Sequence, residues 1–285
     1  MTQYLDSHAH LDASDFDLDR DAVIERAREA GLRYLLLIAD VTRPESVERI
    51  RDLAERHDGI YWAAGVDPHQ SAHARDEHFT TLSAVARHPK FLAVGEIGLD
   101  YFYDYPRDVQ TRVFVQQIEL ARELRRPIII HCRDAWSDLA GILREHPRNG
   151  SADAAHAGAP SANGQVASPA GAGILHCFTG ATQDALELIG LGFYVSFAGN
   201  VTYKKAEALR DAARSLPADR LLAETDSPYL APLSRRGRRN EPALVRETTR
   251  QLATLRGWDE EMMGRQLVEN FALLFGLPPQ GGGSV

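Results

Sequence analysis

The sequence predicts an α/β chain folded as a single-domain (β/α)8 TIM barrel. Three observations carry that expectation. Short β-rich apolar runs alternate with longer amphipathic stretches about eight times along the 285 residues. Repeated strand-then-helix order gives a parallel sheet, and eight such units favour a closed barrel over an open one. Histidines and carboxylates recur at the ends of the apolar runs, where the C-terminal mouth of a barrel would gather them.

The strands are expected near residues 3–8, 33–39, 60–66, 91–96, 127–131, 173–177, 192–197 and 220–225, most of them bounded by Gly, Pro or Asp. Between them, Asp19 to Ala30 places Val23, Ile24 and Ala27 at helical spacing and stops at Gly31. Val109 to Leu124 carries Val113, Phe114, Gln117, Ile118 and Ala121 and ends before Pro127. One stretch breaks the rhythm. Residues 149–173 are small or polar with no period, which reads as a flexible surface insertion in which His156 is a bystander. The barrel is therefore expected over 1–277, with 278–285 a frayed tail.

Bulk properties narrow the function. The chain is 44% hydrophobic and 25% charged, as soluble globular domains are. A net charge of -8 argues against a general nucleic-acid coat protein. A nuclease needs only local basic groups and cations that bring their own charge. Only three basic residues are lysine (Lys90, Lys204 and Lys205); the other 29 are arginine, a compositional bias. Two cysteines, Cys132 and Cys177, make no disulfide framework. The N-terminus has no signal-peptide pattern and no apolar run approaches a membrane span, so the expected place is the cytoplasm, without membrane contact and as a monomer.

Chemistry gathers at five strand ends. His8 and His10 alternate onto one face of the first strand and can hold one cation. Glu96 ends an apolar strand, where a carboxylate is costly unless paired or bound to metal. His131 and His176 close two further apolar runs in matching His-Cys contexts. If those histidines face the barrel interior, Cys132 and Cys177 face the helices as packing residues. Asp226 ends the eighth strand, with Glu224 one alternation deeper as a supporting group. Four imidazoles and two carboxylates suffice for two cations that share a bridging ligand.

The matching stretches DSHAHLD at 6–12, GEIGLDY at 95–101, IIIHCRDA at 128–135, HCFTG at 176–180, ETDSPYLAP at 224–232 and RGRRNEP at 236–242 make the chain resemble the TatD family of metal-dependent deoxyribonucleases, within the amidohydrolase-like superfamily, over about residues 4 to 277. The resemblance implies that His8, His10 and Asp226 hold one metal, that His131 and His176 hold the other, and that Glu96 bridges them. It also implies a divalent-metal-dependent deoxyribonuclease acting from the 3′ end, with DNA, single-stranded or at 3′ ends, as substrate. Two features depart from the family. Asp67 stands in Gly65-Val-Asp67-Pro-His69 where members often carry histidine, which leaves its role open and places His69 at the mouth. The 149–173 insertion is also longer than usual.

Two divalent cations, Mg²⁺, Mn²⁺ or Zn²⁺, would clamp a phosphodiester and lower the pKa of a bound water. Asp226 is the expected general base, and Glu96 is expected to act with it by positioning the metals. Arg133, two residues past His131, is expected to bind phosphate, as are Arg236, Arg238 and Arg239, with Arg235, Lys204 and Lys205 nearby. Tyr101, Phe102 and Tyr103 could stack a base or pack under a helix. The competing reading is hydrolysis of another ester or amide on the same metals, such as D-aminoacyl-tRNA, because fold does not fix substrate.

Overall fold

The computed structural model describes residues 2–147 and 172–277. The body of the predicted 149–173 insertion, His156 with it, and the predicted 278–285 tail lie outside the described residues. Ala172, read as part of that insertion, is tied to the sheet by hydrogen bonds from Ile128 N to its carbonyl and from its N–H to Gly192 O, and Gly173, also the expected start of the sixth strand, pairs with Ile128 and Phe193.

Eight strands run parallel in strict chain order: β1 (Tyr4–Ala9), β2 (Leu32–Asp40), β3 (Ile60–Gly65), β4 (Phe91–Asp100), β5 (Ile128–Arg133), β6 (Gly173–Leu175), β7 (Phe193–Phe197) and β8 (Leu221–Ala223). The circle closes where Ala9 bridges Ser227 in parallel, with His10 N donating to Ser227 O and Asp226 N to His8 O. Helices α1 (Arg20–Glu29), α2 (Pro44–Arg56), α3 (Asp76–Val85), α4 (Arg107–Glu123), α5 (Trp136–Glu145), α6 (Thr182–Gly190) and α7 (Glu207–Ser215) follow the first seven strands, and α8 (Val245–Arg256) and α9 (Glu260–Phe275) follow the eighth. This is the expected (β/α)8 barrel.

The strands read as unbroken apolar runs because both faces are covered, by side chains inside the barrel and helices outside. Tyr34 through Ala39 are all buried, as is every residue of β4. Trp62 packs edge-to-face on Phe91 at 5.1 Å, and Phe114, Tyr194 and Phe271 are fully buried in the same core. Helix α9 lies against β1 and β8. It starts at Asp259, whose carboxylate caps Met262 N, and stops at Gly276 with φ 64°, a left-handed turn that glycine adopts without a steric penalty.

Strand β4 runs four residues beyond its predicted end at 96. Its glycines look like turn residues, yet Gly98 pairs with His131, and a Cβ there would overlap the His131 carbonyl oxygen. Gly98 is thus a point of close backbone approach, and the strand carries on to deliver Asp100. Strand β6 is shorter than expected, so His176 and Cys177 lie past its end.

Candidate metal centre

The C-terminal strand ends bring six predicted residues together: His8 and His10 from β1, Glu96 from β4, His131 from β5, His176 beyond β6 and Asp226 beyond β8. Around Glu96 Oε2 lie His8 Nε2 at 3.3 Å and His10 Nε2 at 3.6 Å. The two ring nitrogens are 3.0 Å apart, and Asp226 Oδ1 is 3.9 Å from His8 Nε2 and 3.6 Å from His10 Nε2. Around the other oxygen, Glu96 Oε1, lie His131 Nδ1 at 2.8 Å and His176 Nε2 at 2.9 Å, themselves 3.2 Å apart. One carboxylate therefore faces two sets of donors, which meet where the His8 and His176 rings stack at 3.9 Å, so that His8 also groups with Glu96 and His176.

Such spacing suits cations. Zinc-type ligands at about 2.1 Å from a tetrahedral ion stand roughly 3.4 Å from one another. Two imidazole nitrogens aimed at each other across 3.0 Å otherwise need a proton between them. The donor set, imidazole and carboxylate, is also one that divalent metals accept.

The second layer fixes ring orientation. Asp100 Oδ2 takes His131 Nε2 at 3.1 Å, so that Nδ1 faces Glu96. Glu224 is fully buried and takes His176 Nδ1 at 3.2 Å and the Cys177 backbone N–H at 2.7 Å, turning His176 Nε2 toward Glu96. The supporting role expected of Glu224 matches these contacts. Such partners set tautomer and ligand basicity. Asp6, also fully buried, accepts from Thr225 N, Thr225 Oγ1 and His8 N, tying β1 to the Asp226 turn. Burial outweighs those bonds and pushes its carboxyl up to about 8.

Charge coupling within the cluster is strong. Burial alone would raise Glu96, but His176, His131 and His8 hold it well below the usual carboxylate range. Burial opposes charge on His10, yet Asp226 and Glu96 push it up to about 9. His131 rises likewise to about 9, against its burial, through Asp100 and Glu96. Asp226 is drawn below its ordinary value by His10, His176 and His8 despite burial. A divalent cation bound among these groups would compete with protons for the same nitrogens and oxygens.

Two mouth residues were missed or left open. His69 Nε2 meets Asp100 Oδ2 at 2.8 Å, so Asp100 joins His69 to His131. Asp100 was legible in principle, since it shares the face of Glu96 two alternations along β4, but its setting resembles a turn aspartate. Asp67, open from sequence, accepts from His69 N at 2.8 Å and starts the short helical turn that carries His69.

The predicted substrate contacts divide. Arg133 is half-buried, its guanidinium 3.5 Å over the Phe102 ring, with no hydrogen bond or ion pair among the described residues. Tyr101 takes the packing alternative: its hydroxyl donates to Asp138 Oδ2 at 2.8 Å, and Arg107 lies 4.1 Å over its ring. Arg236 lies 4.7 Å over the Tyr203 ring and Arg238 is exposed. Arg239 is committed elsewhere, donating to Asp15 O at 2.6 Å and to both Asp19 oxygens at 2.7 and 2.8 Å. Cys132 is buried, as expected of a packing residue. Cys177 is only half-buried: it follows the strand end with φ 43°, so strand alternation does not reach it.

A family model described as TatD related DNase matches residues 5–276. Over 275 residues the chain is 39% identical to a protein of Escherichia coli named uncharacterized metal-dependent hydrolase YcfH, covering 95% of each. It is 35% identical over 275 residues to the 3′-5′ ssDNA/RNA exonuclease TatD of a Rahnella species, covering 94% of this chain and 96% of that one. Among solved structures, YJJV, a TatD homolog from Escherichia coli, matches with a TM-score of 0.83 at 29% identity, covering 96% of this chain and 98% of that one.

Proposed function

This chain belongs to the TatD-related DNase family of metal-dependent hydrolases, and we propose that it hydrolyses phosphodiester bonds in DNA, shortening single strands from the 3′ end. The observation that carries the reading is the division of Glu96, whose two oxygens each face a different pair of imidazoles within 3.6 Å. His8, His10 and Asp226 would hold one divalent cation, His131 and His176 the other, with Glu96 shared. When bound, the cations supply charge for a phosphoryl oxygen and an acidified water.

The chain's own groups do the rest. Asp226 Oδ1 faces the histidines, while Oδ2 makes no hydrogen bond among the described residues and is free to accept a proton. Asp100 and Glu224 hold two imidazoles with the required nitrogen inward. Arg133 brings a fixed, unpaired guanidinium to the same mouth, suited to a phosphate oxygen. That unpaired cation supports a phosphate-bearing substrate over a small acyl ester or amide, whose cleavage needs no second anion site. The relative named as an ssDNA/RNA exonuclease supports the polynucleotide class. A mixed imidazole and carboxylate set suits Zn²⁺ or Mn²⁺, with Mg²⁺ the common ion of phosphate chemistry.

The test is a 5′-labelled single-stranded oligonucleotide incubated with chelated protein and then with Mg²⁺, Mn²⁺ or Zn²⁺ restored. A ladder that shortens from the 3′ end only with metal is expected. An intact oligonucleotide under every metal, from protein carrying two ions, overturns the reading. RNA of the same sequence in a parallel arm fixes the sugar preference.

A further inference from the structure

The loops around the mouth expose aromatic rings where a soluble protein would normally bury them. On the loop after β4, Phe102, Tyr103 and Tyr105 are 55%, 48% and 38% exposed, and after β8 Tyr229 is 61% exposed. These sites lie at opposite ends of the ligand cluster. Tyr103 meets the His69 ring edge-on at 5.3 Å, and His69 lies 5.6 Å from His131, in the donor set around Glu96 Oε1. Tyr229 lies 6.2 Å from His10, in the set around Glu96 Oε2.

Neighbouring rings leave these tyrosines without a parallel partner. Tyr103 is set at 89° to both His69 and Phe102 and at 61° to Tyr105, and Tyr229 at 66° to His10. No described ring stacks flat on either. The Arg133 guanidinium lies 3.5 Å over the Phe102 ring and takes its face, and stands farther off, at 5.5 Å, over Tyr103. An aliphatic patch would suit a protein partner or a lipid. Flat, exposed rings spaced around the proposed phosphodiester-cleaving centre, with the Arg133 guanidinium lying over two of them, suit planar bases on an anionic backbone.

Resting on the phosphodiesterase reading above, we propose that Tyr103 and Tyr229 are two stacking platforms that hold the bases on either side of the scissile phosphate. Each platform takes one base by its π-face, so recognition tolerates sequence. Bases paired and stacked within a duplex cannot reach both, which makes an unpaired end the preferred substrate. The platforms also make a base-bearing dinucleotide the smallest efficient substrate.

The test is a cycle between protein and DNA. Wild type, Tyr103→Ala and Tyr229→Ala are assayed on a single-stranded oligonucleotide and on the same strand with abasic residues at its last two positions. Each alanine variant is expected to raise KM about tenfold on the base-bearing strand, in KM rather than kcat, as loss of one stacked base would. On the abasic strand, where both stacks are lost, wild type and the single alanine variants are expected to share one KM, raised about a hundredfold, and Tyr103→Phe and Tyr229→Phe should restore wild-type KM on the normal strand. Alanine variants matching wild type on the base-bearing strand, or losing equally on the abasic one, overturn the platforms while leaving the phosphodiesterase reading intact. A metal-loaded wild type that cleaves neither strand overturns that reading and the platforms together.

Discussion

Arg133 and Arg239 look alike in the sequence, each a cation close behind a strand-end ligand, and the fold gives them opposite work. Arg133 sits on Phe102 with its donors unpaired among the described residues. Arg239 spends its donors on Asp19 and Asp15 while lying 4.7 Å over Phe16. Its neighbours are committed in the same way. Asn240 is fully buried and donates to Thr225 O at 2.8 Å and Tyr229 O at 2.6 Å, and Glu241 pairs with Arg26 at 2.6 Å. Arg239, Asn240 and Glu241 thus form a latch that holds the Asp226 turn against α1, while Arg133 at the end of β5, like the exposed Arg238, keeps its donors unclaimed among the described residues. A basic residue's role depends on whether acceptors have already claimed it.

Four substitutions break or sharpen that contrast, from the largest effect down. Asp226→Asn removes the group that the latch holds in place. We expect kcat for DNA cleavage to fall about 10³-fold, the scale of losing a positioned proton acceptor, with the melting temperature near wild type. Activity near wild type from purified Asp226→Asn would remove the base assignment.

Asn240→Ala cuts the latch at its centre and strands two carbonyls that Asn240 serves. Unsatisfied buried acceptors of this kind cost about 2–3 kcal/mol, read as a lower urea midpoint at unchanged slope. A midpoint equal to wild type means that the loop holds its shape without Asn240.

Arg133→Ala is expected to raise KM for DNA about tenfold and to flatten the logarithmic salt dependence of binding by about one, since one phosphate contact is lost. Arg239→Ala should leave that salt slope alone. If the two variants shift the slope equally, the division between free and committed arginine fails.

The smallest effect is in stability. The Arg239 hydrogen bonds, with Arg26 behind them, hold Asp19 down to about 2 against its burial. A carboxyl with a depressed folded value contributes stability above about pH 4, and that contribution fades as pH falls toward 2. The pair is partly exposed and screened, so Arg239→Ala should cost about 0.5 kcal/mol at pH 7, shrinking to nothing near pH 2. Thermal melts at both pH values check this, and a cost that stays constant with pH rules out Asp19 as the source.

Much of this was legible in the residues. Strand alternation put His8 and His10 on one face, and barrel topology alone gathers strand ends that are up to 218 positions apart, from His8 to Asp226. Local pattern failed where the deciding contact lies far along the chain. Nothing near Arg239 announces Asp19, 220 residues away. Cys177 escaped the alternation rule because β6 stops at Leu175, and Tyr101 turned to Asp138 on α5, a partner that its position behind Glu96 does not suggest. Asp100 was hidden by the Gly-rich look of β4, which the close packing against His131 explains.

The account rests on Glu96 serving two donor sets at once, and counting metal per chain tests this most directly. Wild type, His131→Ala and Glu96→Ala would be loaded with Mn²⁺ or Zn²⁺, desalted and measured by elemental analysis alongside a circular dichroism check of fold. The account predicts two ions in wild type, one in His131→Ala, and fewer than one retained by Glu96→Ala. Two ions retained by folded Glu96→Ala would contradict it.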